Sequence, residues 1–205
     1  MQEYLLELIS RMTAKEDHCL NSDHSIAWHA HREAETLSDS SMVDELAEYV
    51  NKERDKKRRS AAYFILGKLG QKVRGIDCAS ILLSRLSDEQ DKYVLSSVLN
   101  ALSWIGKPGS LDLRPLYGLL RDDRWLVRHS AIQSLRLTDT PEAEDKLIDL
   151  LVTTTDTHDM IYCHATLNEI GSTKSLLYLE KNLSSRKRDV KLSAKSAIEA
   201  IKSRE

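Results

Sequence analysis

The chain of 205 residues carries 30 Lys or Arg against 32 Asp or Glu, which gives a formal net charge of −2 at pH 7. Only 7 Gly and 3 Pro interrupt it, a composition typical of a chain built mainly from helices. Every apolar stretch is short and broken by charges, which excludes a membrane-spanning helix of about 20 apolar residues. Residues 1–50 hold 3 basic and 11 acidic residues, whereas residues 51–205 hold 27 and 21. If the elements stack in chain order, one end of the molecule is strongly acidic.

The cysteines and the first residues indicate a compartment. Cys19, Cys78 and Cys163 form no C-x-x-C pair, and their odd number argues against a disulfide framework. The start of the chain, residues 1–4, lacks the basic region of a signal peptide. We therefore expect a cytoplasmic protein whose three thiols are small buried hydrophobic groups.

Taken in chain order, the first predicted element is an acidic helical hairpin, with helices at about residues 2–14 and 25–37. Further hairpins follow, with their first helices at residues 41–52, 73–86, 111–121, 142–153 and 173–183. The second helices are predicted at residues 57–69, 92–105, 125–137, 159–170 and 188–203. Residues 1–38 are expected to cap the array, because a terminal repeat must present one solvated face. The array itself is predicted to consist of units at residues 39–70, 71–106, 107–139, 140–171 and 172–205.

The second helix of each hairpin carries one pattern, in which small or apolar residues are spaced by four, four and three positions. The third members of the pattern recur every 31 to 36 residues, at Ala34, Leu66, Leu102, Leu135, Leu167 and Ile198. Two copies depart from it, because Arg58 and Asp159 occupy the first position. Gly70, Gly106 and Gly171 follow the last patterned aliphatic residue, where a left-handed C-cap favours glycine. A period of this length is typical of stacked helical-hairpin repeats.

One repeat carries a more specific signature. The segment Leu119–Arg128, LLRDDRWLVR, has an Asp in the turn and a Val-Arg pair opening the second helix, followed by Ala131 and Leu135. In these features it resembles the HEAT-repeat family, specifically the short type also found in phycobilisome lyases. The resemblance covers about residues 40–205 and implies an all-α fold. That fold is a right-handed α-α superhelix, a HEAT-like and ARM-like solenoid of about five hairpins plus the N-terminal cap. In the family, the Asp and the Arg bridge neighbouring repeats.

The face of the second helices opposite the pattern is the candidate binding surface. Residues two positions beyond each pattern member lie about 200° round the helix, and the resemblance places that side on the concave surface. In the middle repeats the candidate partner-binding residues are Asn100, Trp104, His129, Gln133 and Arg136. Aromatic and Arg side chains carry most of the energy of protein interfaces, so this composition favours a protein partner. A face that is merely solvated is the alternative.

Two basic clusters form a secondary candidate binding surface. They lie in predicted turns and comprise Lys56, Lys57, Arg58, Arg59, Arg186, Lys187 and Arg188. Such an edge could follow a phosphate backbone, and HEAT-like DNA alkyl-base glycosylases bind DNA on a basic concave surface. The turns between the clusters are acidic, however, and the pI is about 6.4 rather than above 9. Nucleic acid is therefore not the expected partner, and a solvated edge or a protein-binding edge are the alternatives.

Motifs for catalysis or for cofactors are missing. The segment from His18 to His31 is rich in histidine, but His29 and His31 face opposite sides of a helix and cannot bind one metal ion. The His-Glu dipeptides of di-iron HEAT-repeat hydroxylases are absent, as are phosphate-binding, dinucleotide-binding and nucleophile-elbow motifs. We predict no catalytic residue, no metal and no cofactor.

The sequence thus predicts a non-enzymatic, monomeric scaffold or adaptor that binds another protein on the concave face of a HEAT-repeat stack. One specific version is an immunity protein that neutralises a bacterial toxin, in which the acidic pole covers a basic nuclease. Rival hypotheses from another class are a DNA-repair glycosylase and a bilin lyase. The identity of the partner does not follow from these residues.

Overall fold

The computed structural model describes residues 3–15 and 24–204. The chain divides into two compact units, Met1–Ile105 and Gly106–Glu205. Across the described residues the structure is all-α, apart from one pair of two-residue strands. Among these residues no helix combines the length and the apolar character that crossing a membrane requires. His18 and Cys19 lie outside the described residues.

The first unit consists of three helical hairpins. Its helices are α1 (Glu3–Met12), α2 (Ile26–Ala34), α3 (Ser41–Lys52), α4 (Lys56–Gly70), α5 (Gly75–Arg85) and α6 (Lys92–Ser103). Helix α4 packs against α5 and α6, and α1 packs against both α2 and α4. These bounds confirm the helices that hydrophobic periodicity predicts, to within three residues at each end.

The second unit continues with the same kind of hairpin. Its helices are α7 (Arg114–Gly118), α8 (Trp125–Ser134), α9 (Pro141–Thr153), α10 (Thr157–Ile170), α11 (Thr173–Asn182) and α12 (Arg188–Lys202). A 3-10 turn, Leu119–Arg121, extends α7. The predicted helix at 111–121 begins late because Pro115 lies in its first turn, where the ring fixes the start of the helix.

Helix α8 ends earlier than predicted because the chain after it enters a short strand pair. Strands β1 (Lys107–Pro108) and β2 (Thr138–Asp139) are parallel, with Lys107 opposite Thr138. Leu137, immediately before β2, has a left-handed backbone with φ 57°. The amine of Lys107 donates to the carbonyl of Arg136 at 2.7 Å and is almost fully buried. Burial lowers its pKa to about 7.

The hydrophobic pattern forms the core, as predicted. Five third members, from Ala34 to Leu167, are completely buried, and Ile198 is 7% exposed. Each fully buried Leu of this kind stabilises the fold by about 1.5–3 kcal/mol. Cys78 and Cys163 are free and buried, which confirms the prediction for these two thiols. Burial raises the pKa of Cys78 to about 11.

The predicted glycine caps are wrong, because no described glycine has a positive φ. Gly70 is the last residue of α4, and a Cβ there would lie 2.5 Å from Ile105 and 2.9 Å from Cys78. Gly171 is extended, and a Cβ would lie 2.5 Å from the carbonyl oxygen of Leu167. Close packing rather than left-handed backbone therefore explains these two glycines.

Aspartate side chains set the start of three second helices. Asp55, Asp91 and Asp156 each precede a helix in an extended conformation and accept hydrogen bonds from amides of its first turn. Satisfying these otherwise unpaired amides stabilises each helix by about 1 kcal/mol. All three aspartates lie three positions before the first pattern residue, so the caps share the register of the core.

In the first unit, Arg59 joins two successive hairpins. Its Nε and Nη2 donate to the Glu89 carboxylate at 2.7 and 3.0 Å, and Nη1 donates to the carbonyl of Glu53 at 3.2 Å. The Tyr63 hydroxyl donates to the same carboxylate at 2.7 Å. Burial, together with this bond to Glu89, raises the pKa of Tyr63. The bidentate geometry and burial make this a strong link between α4 and the turn before α6.

In the second unit, Arg128 has the corresponding role. It donates to the carbonyl of Asp122 at 2.8 Å, and its Nε lies 2.8 and 2.9 Å from the two carboxylate oxygens of Asp159. The Asp122 carboxylate binds Arg124 of its own turn instead of a neighbouring repeat, which corrects the bridging role that the resemblance implied. Asp159, the apparent exception to the apolar pattern, therefore provides the carboxylate that links α10 to α8.

A buried histidine connects the last three helices. Nε2 of His164 is 3.0 Å from the amide nitrogen of Asn182, which can only donate, so Nδ1 carries the proton. Nδ1 donates to Ser193 Oγ at 2.8 Å, and that hydroxyl donates to the carbonyl of Val190 at 3.1 Å. The ring is fully buried and burial lowers its pKa to about 4, so it is neutral at pH 7.

Candidate binding surface

The candidate residues of the first unit, Asn100 and Trp104, lie at the end of α6 and are partly exposed. Trp104 packs over Gly67 of α4, where a Cβ would lie 2.8 Å from Cε3 of the indole and 2.9 Å from Ala101. The missing side chain at Gly67 thus permits the indole to lie against α4. Gly67 itself is buried.

Trp104 belongs to a line of rings contributed by three second helices. The ring of Phe64 on α4 lies 5.5 Å from Trp104 and 5.0 Å from His31 on α2, with interplanar angles of 83° and 71°. We call His31, Phe64 and Trp104 the aromatic row. Nδ1 of His31 is 2.8 Å from the carbonyl of Ala27, which fixes the proton on that nitrogen. Edge-to-face pairs at this separation stabilise by about 0.5–1.5 kcal/mol beyond area burial.

Charged side chains border the aromatic row. The Lys68 amine lies 4.2 Å from the ring centre of Trp104 and 5.4 Å from that of Phe64. It also lies 3.6 Å from the carboxylate of Glu35, which pairs with Arg32 at 2.8 Å. These are cation–π and ionic contacts of the chain with itself. The row therefore combines partly exposed rings with fixed charges.

The candidate residues of the second unit have different environments. His129 is only 7% exposed, and its Nε2 is 2.9 Å from Asp159. Burial lowers its pKa, although Asp159 opposes the shift. Gln133 is partly exposed, and Arg136 is partly exposed and pairs with Glu169 of α10. His129 therefore offers little surface to a partner, and a partner carboxylate must compete with Glu169 for Arg136.

Rings gather around His129 that sequence analysis did not predict. Tyr162 stacks on it with ring centres 4.6 Å apart, and Trp125 and His158 lie at 5.7 and 6.1 Å. The position of Trp125, directly after a turn, predicts a packing residue, and this prediction is wrong because the side chain is 62% exposed. Its position at the start of α8, before the apolar pattern begins at Val127, is the sequence feature that indicates this exposure. Tyr162 comes from the next second helix, so its contact with His129 was not visible in local sequence.

The same region has donor atoms spaced for a metal ion. One ligand atom each of His129, Asp156 and Asp159 lies within 4.8 Å of the others. The guanidinium of Arg128 contacts both carboxylates, at 2.8 Å for Asp159 and 3.5 Å for Asp156. A cation would have to displace this buried positive charge, so these residues do not fit a metal site well.

The two basic clusters carry less available charge than their composition indicates. The Arg59 side chain is 15% exposed and pairs with Glu89, and Lys56 pairs with Asp91 at 2.9 Å. Lys187 donates to Thr157. All members of the two clusters except Arg59 are exposed. The prediction that Arg59 belongs to a binding surface is therefore wrong, because its carboxylate partner Glu89 lies in the next hairpin and Arg59 links the two hairpins.

Comparison with known families identifies the repeats. The sequence model described as HEAT repeats matches residues 43–136 and 113–199. Together these matches span most of the chain and include both compact units. None of the curated proteins compared with the chain matches it.

The solved structures with a similar fold include two engineered proteins and a designed armadillo repeat protein. An engineered protein determined by the Northeast Structural Genomics Consortium has a TM-score of 0.56 at 20% identity, covering 99% of this chain and 100% of the other. A second engineered protein of that consortium has a TM-score of 0.56 at 18% identity, with 98% of each chain covered. A designed armadillo repeat protein has a TM-score of 0.55 at 16% identity, covering 96% and 99%. These similarities support the predicted all-α, HEAT-like and armadillo-like solenoid class.

Proposed function

The chain belongs to the HEAT-repeat family, and we propose that it is a non-enzymatic scaffold that binds another protein through its second helices. The surface in question is formed by side chains that the core pattern leaves on the outer side of these helices. Each unit has its own candidate surface, formed by Asn100 and the aromatic row in the first unit and by Gln133 and Arg136 in the second. We propose further that the protein acts in the cytoplasm as a monomer.

The observation that supports this proposal best is the aromatic row. Three successive second helices each contribute one ring, and Phe64 and Trp104 are both partly exposed. Such rings offer a large contact area and lose little conformational entropy on binding, which is why they recur at interface hot spots. Their positions are fixed by packing, since Trp104 lies on Gly67, so the surface is organised before a partner arrives.

In the second unit, Arg136 and Gln133 support the same function. Both are partly exposed on α8 or directly after it, three positions apart, so one partner group can contact both. Arg136 is oriented by Glu169, and its guanidinium can donate to a partner carboxylate that competes with Glu169. His129 would contribute by holding Tyr162 in place, at 4.6 Å between ring centres.

The alternatives have weaker support. A glycosylase-like DNA interface would need free cations along the basic clusters, yet Lys56 and Arg59 are paired with carboxylates. The toxin-neutralising version needs free acids at the N-terminal hairpin, where Glu33 is bound by Tyr4 and Arg11. For a bilin lyase, no described contact singles out a bilin-binding residue.

Affinity purification with quantitative mass spectrometry tests the proposal. The tagged chain is compared in its native host with the variants Trp104→Ala and Gln133→Ala/Arg136→Ala, each verified by its circular-dichroism melt. We expect a defined protein to copurify with the parent and to be depleted at least about fivefold by one of these variants. The control is Lys52→Ala, a change at a 77% exposed side chain on α3.

Two results would contradict the proposal. Equal recovery of the partner by all three variants would show that the second helices are not its binding surface. Loss of the partner only after charge reversal of Glu3 and Glu7, exposed on α1, would assign binding to the acidic hairpin instead.

A further inference from the structure

More cations than anions surround the aromatic row. Arg32 and Lys68 share the carboxylate of Glu35, at 2.8 and 3.6 Å. Lys72 is anchored at the same place, because its amine donates to the carbonyl oxygens of Glu35 and Leu37. This part of the surface thus holds three positive side chains, two of which share one carboxylate, so it attracts an anionic group and repels a further cation.

The ring faces are already in contact with the chain's own cations. Lys68 Nζ lies 4.2 Å from the centre of Trp104, and the guanidinium carbon of Arg32 lies 5.7 Å from the centre of Trp28. A face used in this way cannot hold the Lys or Arg side chain of a partner as well. A basic segment is therefore disfavoured by both charge and space.

Apolar area remains available beside these charges. Trp28 is 40% exposed, and Phe64 and Trp104 are partly exposed. The Arg32 side chain is 56% exposed, so its guanidinium can turn from Glu35 to an incoming carboxylate without desolvating. The surface thus offers ring edges for an apolar side chain and cations for a neighbouring acid.

We infer that this surface, formed by the aromatic row with Arg32, Lys68 and Lys72, binds an acidic segment of a partner protein. The segment carries carboxylates next to an aromatic or aliphatic side chain, which packs on Trp104 and Phe64. This inference rests on the proposed function, and it specifies the chemistry of the partner. It also argues against a basic nuclease as the partner bound at this surface.

A nucleic acid would also supply anions, but the geometry favours a carboxylate-bearing peptide. Successive bases stack on exposed parallel ring faces, whereas the rings here meet at 71° and 83° and Trp104 is covered by Lys68.

Selection of peptides from a random library displayed on phage tests the inference on the full chain. The affinities of the enriched peptides are then measured by fluorescence anisotropy at low and physiological salt. We expect enriched sequences to combine Asp or Glu with an aromatic or aliphatic residue, and their affinity to fall as salt increases.

The variants separate the charge from the rings. Lys68→Met keeps the apolar stem over Trp104 but removes the charge, and we expect it to weaken binding about tenfold, as loss of a charge-assisted contact does. Trp104→Ala should weaken binding by at least as much. Lys52→Met, on α3, removes an exposed charge of the same sign and should leave affinity within about twofold.

The outcomes distinguish this inference from the proposed function. Enriched peptides that are basic or neutral, or that bind Lys68→Met normally but not Trp104→Ala, overturn the acidic specificity and leave the protein-binding function standing. No enrichment, or binding insensitive to Trp104→Ala, overturns both. Competition by single-stranded oligothymidylate at submicromolar concentration would assign the surface to nucleic acid and overturn the inference.

Discussion

Asp159 is the residue that local sequence rules misjudge most. It occupies a position that is apolar in most repeats, yet it is 3% exposed and accepts hydrogen bonds from Arg128, His129 and Thr154. A buried carboxylate is tolerated only when its partners replace water. Arg128 and His129 come from α8, so the sequence of α10 alone shows only an interruption of the apolar pattern.

Replacing Asp159 by Ala should be severely destabilising. The change leaves the largely buried guanidinium of Arg128 without its main carboxylate, and breaking such a pair costs about 3–5 kcal/mol. Urea unfolding monitored by circular dichroism measures the loss. Asp123→Ala, at an exposed position in the turn before α8, is the control and should change the stability by less than about 0.5 kcal/mol. A loss below about 1 kcal/mol for Asp159→Ala would show that the pair does not stabilise the fold.

His164 should make stability depend on pH. Its pKa is lowered to about 4 by burial, whereas an unfolded histidine titrates near 6.5, so the folded state resists protonation. The stabilisation from the neutral ring is complete above pH 6.5, declines as the pH falls, and is lost by about pH 4. Urea melts between pH 7 and 4.5 should therefore show a larger loss for the parent chain than for His164→Gln. Equal slopes for the two proteins would contradict a neutral buried imidazole.

At the scale of elements, the contact between α4 and α6 depends on the absence of a side chain. Gly67→Ala would place a Cβ 2.8 Å from Trp104 and 2.9 Å from Ala101, and overpacking of this kind costs about 1–3 kcal/mol. The tryptophan emission should also change as the indole is displaced. The matched control is Gly118→Ala, where a Cβ has no neighbour within 4 Å and the stability should be unchanged or raised. Equal stabilities of the two variants would show that the α4–α6 contact adjusts to the added Cβ without a loss of stability.

The helices could be predicted from sequence because their signal is local. Core residues recur at helical spacing, and Asp55, Asp91 and Asp156 mark helix starts in the same register. The strand pair of Lys107 and Thr138 could not be predicted, since its two strands lie 31 residues apart and each has only two residues. The glycine caps failed for a related reason: neighbours brought close by packing, not local backbone, determine Gly70.

The candidate surface was predictable only in outline. The 200° rule places Asn100 and Gln133 on a partly exposed side of their helices, as the structure has them, and Arg136, one position beyond Leu135, is partly exposed as well. It fails for His129, which is buried because Asp159 and Tyr162 approach from the next hairpin. It also places Lys68, two positions beyond Leu66, on this side, but it gives no indication of the contact with Trp104, which follows another helix.

At the scale of the whole chain, charge is more internally paired than composition indicates. We expect no binding to duplex DNA at physiological salt, because carboxylates pair with Lys56 and Arg59 and the pI is about 6.4. Fluorescence anisotropy with a labelled duplex provides the measurement. Submicromolar affinity that falls with salt at a slope near −0.9 per phosphate, and that is abolished by Lys57→Glu/Arg58→Glu, would establish nucleic-acid binding instead.

The two inter-hairpin arginines determine which parts of this chain could be copied to build a longer one. Arg59 reaches a glutamate five positions before the next pattern start, and its own hairpin has Glu53 at that position, so a tandem copy of residues 39–70 would re-form the pair. A tandem copy of residues 107–139 would instead present Val127 where Arg128 requires an aspartate. The duplicated guanidinium would then lack a carboxylate, at a cost of several kcal/mol. Internal duplication could therefore lengthen the array through residues 39–70 but not through residues 107–139.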